Sequence, residues 1–155
     1  MKEPKAVRRM VFDAGPFILL FTEEKGSDTA RKAVLGHERG ENEIFIHPNN
    51  LSEAYKVVYE MRGAKPQLLV RDIKPEDVVR SAYATLNVIQ DEGTTTNLGM
   101  LKARYPRKPW GDLSSAALAL RVSDKEKVPV VVLDEERHLD DVEEVSIVRI
   151  SELEL

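Results

Sequence analysis

Met10-Val-Phe-Asp-Ala-Gly-Pro-Phe17 is the stretch that decides the fold. An apolar run ends on an acid, Asp13, and Gly15-Pro16 then breaks it. The run reads as a short buried strand over about Arg9–Asp13, and Pro16 suits the first turn of a helix. "PFILLFTEE" supplies that helix's apolar turns. An acid where a buried strand stops is either a helix cap or a metal ligand. Asp13 alone leaves both roles open.

The chain downstream alternates in the same manner. "SDTARKAVLGHERG" reads as a helix capped by Ser27 or Asp28, with Ala30, Val34 and Leu35 on its apolar side and Gly40 ending it. "NEIFIHPNN" gives a second strand over Glu43–His47. "NLSEAYKVVYEMRG" gives a helix with Leu51, Ala54, Tyr55, Val58 and Met61 on one side. The period of "AKPQLLVRDIK" is too short to assign. "KPEDVVRSAYATL" starts a helix with Pro75 and acids in its first turn, and "NVIQ" is a short third strand. "TTTNLGMLKARYP" and "WGDLSSAALALRVSDKE" are two further helices. "VPVVVLD" is an apolar strand of the doubly buried kind, and "EEVSIVRI" a last strand. Strands alternating with helices predict an α/β fold with a mainly parallel sheet and helices on both faces. No repeat, low-complexity tract or linker divides residues 1–155, so one domain is expected.

Composition narrows the function. With 42% apolar and 32% charged residues in 155, the chain is globular. A net charge of −4 confines any nucleic-acid contact to a local patch. There is no Cys, which excludes disulfides, Cys-zinc sites and thiol catalysis and fits a reducing compartment. The basic residues of "MKEPKAVRRM" are not followed by an apolar leader or span, so a cytoplasmic location without membrane contact is expected. No HExxH, GxSxG or GxxxxGK[ST] motif occurs.

Three acids map to the carboxyl edge of the expected sheet, where open parallel sheets bind ligands. Asp13 ends the first strand, Glu53 lies in the first turn after the second, and Asp134 ends "PVVVL". Asp112 opens the preceding helix and can join them. Each has a structural alternative. Asp13 and Asp112 can cap helices, Asn50-Leu-Ser-Glu53 matches a capping box, and Asp134 can cap a turn. Separate caps do not explain why one chemistry recurs along one edge. Crowded carboxylates repel unless protonated or joined by a hard cation such as Mg²⁺ or Mn²⁺. His37, His47 and His138 show no metal-type spacing, so surface or loop roles are expected; His138, four residues past Asp134, is a minor candidate near the site.

"VFDAGPFILL", "NNLSEAYKVV", "WGDLSSAALAL" and "VPVVVLDEERHL", in that order, resemble a PIN domain over about Arg8 to Ile150. The resemblance implies a three-layer α/β/α sandwich whose acids hold Mg²⁺ or Mn²⁺ for hydrolytic RNA cleavage, leaving 5′-phosphate and 3′-hydroxyl ends. It implies Asp13, Glu53, Asp112 and Asp134 as the catalytic and metal-binding acids. Three positions depart from the family pattern. Ala14-Gly15 stands where Ser or Thr often follows the first acid, Val132 where a hydroxyl often precedes the last, and Arg137 where an aromatic is common. Asp134 is therefore the least secure ligand, and Glu135 and Glu136 are substitutes for it.

The short single-domain chain is similar to VapC-type toxins, which implies an RNA substrate, a small antitoxin partner and a homodimer. A housekeeping RNA-processing nuclease and a catalytically weakened interaction module are the alternatives. A receiver-like phosphoacceptor domain would need an acidic pair after the first strand, where Ala14-Gly15 stands instead. For RNA contact, "LKARYPRKPW" offers Lys102, Arg104, Arg107 and Lys108 beside Trp110, just ahead of Asp112. A solvated helix end with Trp110 in the core explains the same residues.

Overall fold

The computed structural model describes residues 7–155; the basic stretch over residues 1–6 lies outside it. The elements run β1 (Arg8–Phe12), α1 (Ala14–Ile18), α2 (Ser27–Glu38), β2 (Asn42–Ile46), α3 (Pro48–Ala64), α4 (Pro75–Thr85), β3 (Asn87–Val88), α5 (Glu92–Arg104), α6 (Trp110–Val122), β4 (Val130–Val132) and β5 (Ile147–Arg149). Among the described residues, five strands form one sheet in the order β3-β2-β1-β4-β5, every pair parallel.

Strand periodicity divides the core in two. Met10, Phe12, Ile44, Ile46 and Val131 face one side, where Phe17, Ala30, Leu51, Val58, Val78 and Ala82 of α1–α4 cover them. Val11, Phe45, Val130 and Val132 face the other, under Leu101 of α5 and Leu113, Ala117 and Leu118 of α6. The result is a three-layer α/β/α sandwich. Each fully buried Leu, Ile, Val or Phe contributes roughly 1.5–3 kcal/mol. α6 is buried nearly all round, including Ala116, Ala117 and Ala119, so it lacks a clean amphipathic stripe. No helix among the described residues is long and apolar enough to cross a membrane.

Several element ends differ from the expected ones, each for a local reason. α1 lasts one turn and tightens into a 3-10 turn over Leu19–Phe21. Gly26, at φ 96°, is the N-cap of α2 in place of Ser27 or Asp28. Leu35 is exposed, and Ala30, Ala33 and Gly36 form the buried side of α2. The residue before Pro48 is extended, so His47 becomes the N-cap of α3, and its Nδ1 accepts the Asn49 N–H at 3.0 Å. That start removes the Asn50–Glu53 capping box and moves Glu53 from the first turn to the second. Tyr55, expected on the buried side of α3, lies at its surface. Asp91 caps α5 through the Thr94 N–H at 2.8 Å, starting that helix earlier than its Thr run suggested. The ambiguous stretch near residue 68 holds a 3-10 turn over Pro66–Leu68 and an antiparallel bridge from Leu69 to Thr22.

The chain leaves β1 toward β2 on one side, then crosses through α5 and α6 to β4 on the other. The connections after β1 and β4 thus diverge and open a crevice at the carboxyl edge. Gly15 lies in it for a steric reason. A Cβ there would sit 2.5 Å from Cγ of Leu133, the residue after β4. Leu133 thus occupies the space that a hydroxyl-bearing side chain would need. Gly15→Ser is expected to lower stability by about 1–3 kcal/mol through overpacking. In a urea-unfolding series, Leu133→Ala should relieve most of that added loss; an equal penalty in both backgrounds would show that Leu133 is not the obstacle.

Candidate metal centre

Asp13 stands at the N-cap position of α1 yet caps nothing with its side chain. Its Oδ1 instead accepts the Ser115 hydroxyl at 2.9 Å and the Asn50 amide at 3.2 Å. The same Asn50 amide donates to the Gly111 carbonyl at 3.0 Å, tying α3 to the start of α6. Asp13 is only 6% exposed. Burial pushes its carboxyl up to about 7; the Ser115 hydroxyl pulls the other way, and the charges of Asp112 and Glu53 push further up.

Asp112 is the third residue of α6, whose N-cap is Pro109, so it is not the cap. It is 8% exposed, and its Oδ2 lies 2.9 Å from Nδ1 of His138. Burial and the charge of Glu136 raise its carboxyl, while His138 and Lys108 lower it. Glu53 reaches the first turn of α6, where its Oε2 would lie 3.1 Å from a Cβ on Gly111. A Cβ there would crowd the carboxylate, whose flexible side chain would have to give by a few tenths of an ångström. Partial burial, then Asp112 and Glu136, raise the Glu53 carboxyl. Asp13, Glu53, Asp112 and Glu136 line one cleft with Gly15 and Leu133.

Asp134 is turned elsewhere. Its Oδ1 accepts the Ser151 N–H at 3.0 Å, which holds its carboxyl below the usual range with help from Lys25 and Arg149. Two residues later, Glu136 faces Asp112 in its stead. Ligand atoms of Asp112, Glu136 and His138 lie within 4.8 Å of one another. The sequence pointed to Glu136 only as a substitute and to His138 only as a minor candidate. Of the other histidines, expected in surface or loop roles, His47 lies in the connection between β2 and α3, and His37 is half-buried on α2. His47 is fully buried, where burial lowers its pKa, and Nδ1 of His37 accepts the Ile44 N–H at 3.1 Å.

The loop carrying Glu136 and His138 is held at its backbone. Lys108 Nζ donates to the His138 carbonyl at 2.5 Å and pairs with Asp141 at 2.6 Å. Arg149 donates to the Glu136 carbonyl at 3.2 Å and grips both Asp140 oxygens at 2.6 and 2.7 Å. Lys108, expected at an RNA surface, is thus largely occupied within the protein. Lys102 donates to the Lys108 carbonyl at 2.5 Å and lies 5.0 Å over the Trp110 ring. Arg104 pairs with Glu144 at 3.3 Å. Arg107 is exposed and in no salt bridge among the described residues. Trp110 is 55% exposed and lines the outer cleft beside Glu53, Asp112, Glu136 and His138, so it is not a core plug.

The donors fit a divalent cation. They are carboxylate oxygens with one imidazole, and burial, helped by neighbouring carboxylates, raises three of the acids toward protonation. The positive end of the α6 dipole offsets part of the charge. Asp112, Glu136 and His138 can hold a metal ion.

No family model and no curated protein matches the chain. Among solved structures, it is similar to a chain in the crystal structure of VapBC2 from Rickettsia felis bound to a DNA fragment from their promoter. The two are 13% identical, with a TM-score of 0.61 over 91% of this chain and 98% of that one. At that identity the likeness is one of fold.

Asp13 links the site to stability. Its carboxyl titrates near 7 in the folded protein against 3.8 in an unstructured peptide, so between those values the folded state holds a proton that the unfolded chain releases. Stability of the ion-free protein therefore falls as pH rises through that window, by up to about 4 kcal/mol, and stays low above it. In thermal melts with chelator, Asp13→Asn should raise Tm at about pH 8 and flatten the pH dependence from about pH 5. A variant less stable by the same amount at both values would show that the carboxylate is not strained.

Proposed function

We propose that this chain is a divalent-metal-dependent endoribonuclease of the VapC-like toxin type. The observation that carries the reading is the convergence of Asp13, Glu53, Asp112 and Glu136 on one cleft at the sheet's carboxyl edge, with the buried Asp13 carboxyl raised to about 7. The shared fold with a chain of the VapBC2 complex supports it. So does the resemblance of the four acid-bearing segments to a PIN domain.

In this reading Asp112 holds the ion with Glu136, which takes the part expected of Asp134, and Asp13 and Glu53 complete the site from the same cleft. Bound there, Mg²⁺ or Mn²⁺ supplies Lewis acidity to a phosphate oxygen and lowers the pKa of the attacking water. Ser115 and Asn50 fix one Asp13 oxygen, so the carboxylate is oriented before the ion arrives. The water oxygen bonds to phosphorus, the bond from phosphorus to the 3′ oxygen breaks, and that oxygen leaves as a hydroxyl. The exposed Trp110 ring, with Lys102 over it, offers a face for an unpaired base, worth about 1–3 kcal/mol per stacked base. Arg107 is the basic side chain of this tract left for a phosphate. A small antitoxin-type partner and a homodimer belong to the same proposal. The diversion of Asp134 to Ser151 favours one second reading, a catalytically weakened module that binds the ion without cutting RNA.

Cleavage of a mixed single-stranded RNA pool separates these readings. With Mn²⁺, the wild type should cut, and Asp112→Asn should lose at least about 10²-fold while keeping its circular dichroism. Unchanged cleavage in Asp112→Asn would remove that residue from the mechanism. Calorimetric Mn²⁺ binding that weakens in Asp13→Asn, with no cleavage by the wild type, would establish the weakened module instead.

A further inference from the structure

We infer that His138 is a nitrogen ligand in this centre and that it selects a first-row transition ion over Mg²⁺. The inference rests on the proposed metal site and adds what that site prefers. Nδ1 of His138 lies 2.9 Å from Asp112 Oδ2 and 3.3 Å from Glu136 Oε1. Two ligands about 2.1 Å from one ion, at right angles, are about 3.0 Å apart. Nδ1 thus already lies at about that spacing from each carboxylate oxygen, and all three ligand atoms lie within 4.8 Å of one another.

The ring is aimed there by more than one contact. The His138 N–H donates to Glu136 Oε1 at 2.7 Å, and Lys108 holds the His138 carbonyl. Arg149 holds the Glu136 carbonyl. Asp112 is fixed by the buried start of α6. Asp13, nine-tenths buried, lines the same cleft as Asp112, Glu53 and Glu136. The imidazole Nδ1 stands between the two carboxylates of Asp112 and Glu136. As a ligand the ring would offer its Nδ1 lone pair, with the hydrogen carried on Nε2.

Selectivity follows from donor chemistry. Mg²⁺ favours oxygen ligands and retains its waters. A borderline nitrogen donor adds affinity for transition ions and little for Mg²⁺. An all-carboxylate centre would lack that discrimination.

The test uses the full-length protein with Mn²⁺ and Mg²⁺ as probes. Pulsed electron paramagnetic resonance of bound Mn²⁺ should show nitrogen coupling in the wild type and none in His138→Gln. By calorimetry, His138→Gln should weaken Mn²⁺ about tenfold or more and Mg²⁺ by less than about threefold. His138 is on the surface, so the variant should fold, and the wild-type spectrum stands without it. Mn²⁺ bound without nitrogen coupling, and equally well by His138→Gln, would overturn the inference and leave the metal site intact. Tighter binding by His138→Gln would overturn it too, making the ring a placeholder that the ion displaces. No Mn²⁺ binding to either protein would overturn both this inference and the metal-dependent reading of the site.

Discussion

Burial of a carboxyl among other carboxylates at the end of β1 is the constraint around which this molecule is arranged. Asp13 is buried there, with the carboxylates of Asp112 and Glu53 near enough to raise its pKa. A protein selected only for stability would place apolar or amide groups in that corner. Here the fold offers partial compensation. Ser115 and Asn50 donate to one oxygen, His138 and Lys108 act on Asp112, and α6 points its positive end at the cleft. What remains is an electrostatic deficit of the kind a bound cation fills.

The compensation depends on α6, which serves core and site together. Leu113, Ala116 and Ala117 pack it under the sheet. Asp112 and Ser115, three residues apart, fall on the side that meets Asp13. The Asn50 amide bridges Asp13 and the Gly111 carbonyl, so α3, α6 and the end of β1 lock at one atom. Precision at the cleft is thus inherited from a rigid interior, and few side chains there are free to relax around a change.

The loop after β4 is built differently. It has little regular structure, and charged side chains hold its backbone: Lys108 at His138 and Arg149 at Glu136. Lys102 and Lys108, which read as a phosphate-binding tract, bridge this loop to the turn before α6. A basic stretch in an acidic protein therefore serves two ends. Part of it steadies the acids, and Arg107 and Trp110 remain outward at the cleft.

Much of this was legible in the sequence. Strand and helix periods in "MVFDAGPF", "NEIFI" and "VPVVVLD" determined an α/β sandwich, because alternation and apolar runs are local consequences of burial on two faces. The same strand ends located Asp13 and the neighbourhood of Glu53 and Asp112, since side chains at one sheet edge share a crevice. Tertiary structure decided the rest. Asp134 and Glu136 are equivalent as letters two residues apart; which one faces the cleft depends on the Ser151 N–H, which lies 17 residues on. Gly15 was a departure from a pattern until Leu133 occupied its space. His138 had no spacing signal because its partners, Asp112 and Glu136, come from a separate helix and from its own loop. Local sequence sets period and element type; which of several competent side chains meet is set by contacts distant in the chain.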